Sequence, residues 1–413
     1  MCLRPAPSMK SVLVSHPQTK FDAQMVATGL SAVGRLGAFF TGVAAVPGSK
    51  CAQGLSCTSR LMPQLANRLV RGVKHSQLHS LAAVEISART LGQVSRQIST
   101  WLPSAPDCTF TAHDAMVALL PWPKSIDGIY AYEDAALRTF GRAARKSLPR
   151  VYDLPTPHYT TVERVRRAES LRWPGAVGSR PPVEPRWKKR RKDRELALAT
   201  HVSVASPFTR ESLEAINGKL PIRVTPYGFP TDVFPCKDSA ADGPFTVLAV
   251  GNHNLRKGTP YLLEAWKHAG LKDARLRLIG PMKLTAQFLE LYRGLFEHVP
   301  HLPKTQLVAE YQAADVVAFP TICDGFGLVI QEAMCCGTPV ITTRCGGGPA
   351  CIDHGHNGWI IPERNVDALV SQLRAAADDR QATFKTGQAA RARAEQYTWQ
   401  EAGAAFATFL AEI

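Results

Sequence analysis

Two short stretches of this 413-residue chain carry side chains able to hold a charged ligand rich in hydroxyl groups. The first is Gly251-Asn-His-Asn-Leu-Arg-Lys-Gly258. Gly251 and Gly258 permit a tight loop that a ligand can approach closely. Arg256 and Lys257 put two cations where a helix is expected to begin, an arrangement suited to a diphosphate. Taken alone, an Arg-Lys pair in a loop is also what solvated surface looks like. The second stretch is Asp324-Gly-Phe-Gly-Leu-Val-Ile-Gln-Glu332. Gly325 and Gly327 leave backbone N–H groups open at a helix start, and Glu332 sits one to two turns further on, where it can reach back. An anion cradled there, flanked by two acceptor carboxylates, describes a nucleotide sugar. A glycine turn with an acid that complements the helix dipole explains the motif equally well at this point.

Other chemistries lack their residues. No G-x-G-x-x-G follows a leading strand and no Walker A lysine motif occurs, which counts against a dehydrogenase or a P-loop enzyme. Cys345, Cys351, His354 and His356 do not have the paired-knuckle spacing of structural zinc. No D-x-D stands at a strand end, so no obligatory metal and no cofactor is expected. With no C-x-x-C and no secretory signal, the ten Cys read as reduced thiols.

The elements that must position these motifs are clearest from 244 to 378. Strands are expected at Phe245–Val250, Leu276–Ile279, Val316–Pro320, Pro339–Thr342 and Trp359–Ile361. Between them the periodicity predicts helices over Pro260–His268, Gln287–Phe296, Thr305–Gln312, Leu328–Cys336 and Val366–Ala377. Apolar strands alternating with amphipathic helices mean a parallel sheet covered on both faces. The first half repeats the rhythm: strands at Ser11–Val14, Gly128–Ala131, Arg150–Asp153 and His201–Ala205, and helices at Ala23–Leu36, Ala135–Lys146 and from Thr209. Residues 47–104 read as helical with loops, and residues 1–8 as a short extension. A Pro-, Asp- and Gly-rich loop at Phe229–Pro244 marks the domain boundary. The expected fold class is α/β, with two doubly wound Rossmann-like domains facing each other across a cleft, residues 9–238 and 243–395. A closing helix within 396–413 is amphipathic.

Length and charge agree. At 413 residues one core is too small and two domains are expected. The formal charge is +15, and the first hundred residues hold eleven Lys and Arg against Asp22 and Glu85. The tract Arg186-Trp-Lys-Lys-Arg-Arg-Lys-Asp-Arg194 reads as the solvated face of a helix or a contact with an anionic membrane. No helix-turn-helix or zinc finger accompanies it, so nucleic acid is not expected as a partner. The longest apolar stretch, Leu36 to Pro47, is shorter than the ~20 residues of a spanning helix.

DGFGLVIQEAMCCGTPV, Asp324 to Val340, resembles the E-x7-E signature of retaining nucleotide-sugar glycosyltransferases of the two-Rossmann-domain (GT-B) type, glycosyltransferase family 4 (group 1) in particular. The resemblance extends to RKG at 256–258, LIG at 278–280, the glycines Gly346–Gly348, HGHNGWIIP at 354–362, PYG at 226–228, VASPFT at 204–209, VYDLPTPH at 151–158 and VLVSHP at 12–17. It implies that Glu332 binds the donor ribose and that Asp324 lies near the hydroxyls of the transferred sugar. Gly325, Phe326, Gly327 and Leu328, with Arg256 and Lys257, would hold the diphosphate, and Gly251, Asn252 and Gly280 would line the nucleotide's approach. His158 matches the histidine near the anomeric carbon, with His16 and Lys20 on the acceptor side. Asn252 stands where many members carry Arg, and Asp324 replaces the usual Glu. The closing helix would cross back onto the first domain.

The resemblance implies hexosyl transfer with retention from a nucleotide-diphosphate sugar to an acceptor hydroxyl. The two cations and the helix start make it metal-independent, and the basic tract and acid-poor first domain fit a saccharide or lipid-linked acceptor in polysaccharide or glycolipid assembly. The expected location is cytoplasmic, peripheral on the inner membrane face. A sugar-nucleotide epimerase and a nucleotide-sugar-binding protein without transfer activity are the alternatives, to be separated by product release.

Overall fold

The computed structural model describes residues 9–49, 52, 68–88, 104–178, 183–216 and 218–413. The expected extension at 1–8 and much of the region 47–104 lie outside the described residues.

Two parallel sheets form the frame. The first has seven strands in the order β3-β2-β1-β4-β5-β6-β7. They are β1 Val12–His16, β2 Leu36–Thr41, β3 Leu78–Ser80, β4 Gly128–Tyr132, β5 Arg150–Leu154, β6 His201–Val204 and β7 Ile222–Val224. The second has six in the order β10-β9-β8-β11-β12-β13. These are β8 Phe245–Val250, β9 Ala274–Ile279, β10 Glu297–Val299, β11 Val316–Phe319, β12 Val340–Thr343 and β13 Trp359–Ile361. In β1, β4, β11 and β12 every residue is buried, as strands covered on both faces must be. The structure is therefore the α/β pair of Rossmann-like domains that the periodicity predicts.

Several elements differ from the sequence reading. The helix expected to run to Leu36 stops at Ala32, because Gly34 turns the chain at φ 71° and Leu36 opens β2. That apolar stretch is a core strand. The helix expected over Gln287–Phe296 is one short turn, Ala286–Leu289, with a 3-10 turn to Tyr292; Gly294 at φ 78° ends it and frees Glu297–Val299 to pair with β9.

The basic tract forms the helix Arg186–Leu198, but four of its cations do not face solvent. Lys188 pairs with Asp107 and Asp134, Lys189 with Glu163, Arg191 with Asp114 and Glu195, and Lys192 with Glu133 and Glu184. Arg191 and Lys192 are buried. This corrects the expectation of a solvated face: charge spacing cannot show which side of a helix meets acids on neighbouring elements.

The last helix, Trp399–Ala411, packs on the first-domain helix Phe21–Ala32. The crossing is so close that a Cβ added at Gly29 would stand 2.3 Å from the Gly403 carbonyl oxygen.

Candidate active site

In an open parallel sheet, ligands bind at the carboxyl ends of the strands where the strand order reverses. In the second sheet that point lies between β8 and β11, which are hydrogen-bonded neighbours although far apart in sequence. The loop after β8 is Gly251–Gly258, and the loop after β11 leads to Asp324. The fold thus brings the two charged motifs to one place.

Backbone geometry makes that contact possible. Gly258 starts the helix Thr259–Ala269 at φ 73°, and a Cβ there would lie 1.9 Å from the Pro320 carbonyl oxygen. The Arg256 carbonyl then accepts from the N–H groups of Ile322 and Cys323 at 2.9 and 3.3 Å, lacing one loop to the other. Arg256 donates to the Cys323 carbonyl at 2.5 Å and stands 3.4 Å from an Asp324 carboxylate oxygen. Lys257 donates to the other Asp324 oxygen, with the Phe319 ring 4.9 Å from its ammonium. Burial would push the Asp324 carboxyl up, but Lys257 and Arg256 outweigh it and hold it below its ordinary range. Burial lowers Lys257 against the pull of Asp324. Two cations thus meet on one carboxylate.

The helix Leu328–Cys335 begins at Gly327, whose φ of 91° and contact with the Phe319 ring leave no room for a side chain. No side chain caps this helix start, so its first N–H groups remain for an anion. Leu328 is 41% exposed, while Phe326 is buried against Tyr227, ring centroids 5.1 Å apart. The Gly347 N–H donates to the Phe326 carbonyl at 2.6 Å, and a Cβ on Gly347 would lie 2.6 Å from that same oxygen. Glu332, half-buried, accepts from the Tyr311 hydroxyl at 2.7 Å; burial raises its carboxyl despite that bond. At the neighbouring strand ends, Gly251 and Gly280 adopt φ near 125°, and a Cβ on Gly280 would meet the Gly251 carbonyl at 2.2 Å. Asn252 is exposed, and Asn254 is the residue that accepts from the Lys257 N–H, at 3.0 Å.

The first domain closes on this loop. A Cβ at Gly325 would lie 1.8 Å from the Pro155 carbonyl oxygen, and the Thr209 hydroxyl donates to the Gly325 carbonyl at 3.1 Å. Three residues beyond Pro155, His158 caps the helix Tyr159–Arg172. Its backbone N–H donates to Ser212 at 3.0 Å, and its Nδ1 lies 2.9 Å from the Thr160 hydroxyl. Burial lowers its pKa, so the imidazole is neutral at pH 7. A cavity of about 110 Å³ between the domains is lined by Thr156, Tyr159, Arg166, Lys192 and Arg256. A larger one, about 520 Å³, lies at the other end of the second sheet beside Phe245 and Asp273, away from these groups.

In the first domain, His16 is fully buried, accepts from the Gln18 N–H at 3.1 Å and packs on Tyr132; burial holds it near 3. Lys20 is exposed, 5.8 Å from the Tyr132 ring. Sequence reasoning missed Asp153 at the end of β5, which burial and Asp22 raise to about 8. The motif VYDLPTPH contains it, but only the fold sets it against a second acid. Thr209 and Glu169 were equally illegible, since their partners lie in the other domain. Among the described residues no group of three or more His, Cys, Asp or Glu could hold a metal ion, and no helix is long and apolar enough to cross a membrane.

The fold is shared with known proteins. The chain superimposes on Anabaena HepE, crystallised with UDP and glucose, with a TM-score of 0.62 at 17% identity, covering 98% of this chain and 100% of that one. TarM gives 0.65 at 9% identity, covering 98% and 99%. The fold is the GT-B arrangement of two facing Rossmann-like domains. Within it, residues 208–393 match the family described as Glycosyl transferases group 1. The D-inositol 3-phosphate glycosyltransferase of Pseudarthrobacter chlorophenolicus is 31% identical over 180 residues, 41% of this chain and 43% of the relative. The protein of that name from Corynebacterium glutamicum (strain R) is 37% identical over 97 residues, 24% and 23%. These alignments thus span less than half the length of the relatives.

Proposed function

We propose that this protein transfers a hexosyl group from a nucleotide-diphosphate sugar to an acceptor hydroxyl, with retention and without an obligatory metal. The observation that carries the reading is the Lys257–Asp324 ion pair, with Arg256 beside it, at the point where the strand order reverses. The donor diphosphate displaces Asp324 from Lys257 and rests on Lys257, Arg256 and the uncapped N–H groups at Leu328. Asp324 is then free to accept from the sugar's hydroxyls, and Glu332 accepts from the ribose. The bond from the anomeric carbon to the phosphate oxygen breaks, and the acceptor oxygen bonds to that carbon on the same face. The acceptor's proton passes to the departing diphosphate, whose negative charge the two cations stabilise. Neutral His158 donates a hydrogen bond to the sugar.

HepE's complex with UDP makes uridine the first base to test, and the relatives' name makes inositol phosphates the first acceptors. Arg186, Arg190 and Arg194, exposed on the basic helix, support an acceptor on the cytoplasmic membrane face, with the product entering polysaccharide or glycolipid assembly. Flotation with liposomes tests that location; binding indifferent to anionic lipid contradicts it. A thermal-shift panel of nucleoside diphosphates and their sugars, followed by product analysis, tests the activity itself. The expected result is a selective shift, nucleoside diphosphate release that needs an acceptor, and full activity in EDTA. Donor conversion without acceptor indicates an epimerase, and a shift without product a binding protein.

A further inference from the structure

We infer that Glu169 is a positioning residue that ties the helix bearing His158 to the donor domain. By sequence, the helix Tyr159–Arg172 belongs to the first domain, between β5 and β6. Beyond its first turn, its buried polar attachments belong to the second. Glu169 is fully buried, and its two carboxylate oxygens divide between two second-domain residues. One accepts from the Tyr261 hydroxyl at 2.7 Å and the other from the Arg364 guanidinium at 2.6 Å. Tyr261 lies on the helix that follows the Arg256–Lys257 loop, and Arg364 follows β13 in a left-handed conformation, φ 62°.

The residues beyond the helix continue the attachment. The Trp173 ring meets Tyr261 and Phe288 edge-on, at 5.0 and 6.1 Å between centroids. Ala176 is buried in the core of the second sheet, and its carbonyl accepts from the Thr285 N–H at 3.0 Å. Nearer His158, Val165 packs with Ile322 and Cys323, just before Asp324. First-domain contacts hold the start of the helix: the His158 N–H bonds Ser212 and Phe208 packs nearby. The side-chain pairs, by contrast, are exposed: Glu163 with Lys189, both about a quarter exposed, and Tyr159 with Asp193 at the surface. Partly exposed pairs of this kind contribute little, whereas removing one partner of a buried pair strands a charge.

The body of the helix is therefore held by the donor domain, while His158 at its start stays hydrogen-bonded to Ser212 of the first domain, so Glu169 fixes where His158 stands between the two. The inference rests on the role of His158 proposed above, so its test has a part that needs no activity. Backbone hydrogen exchange is compared between the full-length protein and Glu169→Gln. Amides 165–176 are expected to exchange at least tenfold faster, while the helices 137–145 and 186–198 keep their rates. In transfer assays, kcat is expected to fall tenfold or more with the donor KM within twofold. Arg364→Gln reproduces both effects, and the double variant is no worse than either single one. Unchanged exchange in 165–176, or faster exchange across both domains alike, overturns the tether. Faster local exchange with kcat and KM unchanged overturns the positioning role. If the wild-type protein transfers no sugar, the proposed function fails, and the exchange comparison still decides whether the helix is held by the donor domain.

Discussion

Lys257 and Asp324, 67 residues apart in the chain, form an ion pair across the carboxyl ends of two adjacent strands. That contact exists because β8 and β11 are neighbours and because Gly258 lets their following loops touch. The proposed diphosphate would compete with Asp324 for the Lys257 ammonium.

Replacing Lys257 with Ala is accordingly expected to lower transfer by about 10²–10³, the scale of one preorganised charge contact. Asp324 keeps Arg256 as a partner, so the variant should fold. Initial-rate assays at varied donor concentration check this, and a wild-type rate would remove Lys257 from the site.

Glu332→Ala should cost a similar factor of ~10²–10³ through loss of the ribose contact. Tyr311→Phe only frees the carboxylate of one donor, Tyr311 being buried beside it. It should cost about 1 kcal/mol of stability, the net worth of one hydrogen bond, and a smaller loss of rate. The two variants together separate the contact to substrate from the residue that orients it; equal losses of rate would contradict that division.

The helix crossing at Gly29 and Gly403 admits no side chain. Gly29→Ala forces the last helix away from the first domain, and overpacking of this kind costs about 1–3 kcal/mol. Surface substitutions on the outer face of Trp399–Ala411 should be neutral by comparison. Urea unfolding of the variants measures both.

Asp153 sets a pH dependence. Its folded pKa, about 8, lies above the ordinary carboxyl value of 3.8 because of burial first and Asp22 second. Folding thus favours the protonated form. The contribution to stability is complete below about pH 4 and is lost as pH rises towards 8. Asp153→Asn cannot ionise, so its melting temperature should fall less than that of the wild type across this range. Glu133 and Glu195, both raised to about 7, act in the same direction, and His16 and His113, near 3, act in the opposite one. The difference between variant and wild type isolates Asp153; parallel curves would contradict its burial as an acid.

The second domain was largely legible because its buried strands are continuous apolar runs: Phe245–Val250 and Trp359–Ile361 form with the bounds that the pattern sets. The motifs at 251–258 and 324–332 also stood out, as glycines and charges placed where strands end, although each has a plain local reading and only the fold brings the two together. Illegible were the features made by distant partners. Nothing local distinguishes Lys192, buried among three acids, from exposed Arg190 two residues away. Likewise the helix Tyr159–Arg172 has so charged a surface that its apolar period is weak, and its inward Glu169 finds counterparts only in the other domain. β2 was hidden within an apolar stretch that has no alternation, being covered on both faces.

The most direct test of the donor site is a crystal structure with a bound uridine diphosphate sugar. The diphosphate is expected within hydrogen-bonding distance of the Lys257 ammonium and the Leu328 N–H, with the ribose hydroxyls on Glu332. A nucleotide bound elsewhere on the molecule, or none bound at millimolar concentration, would contradict the assignment.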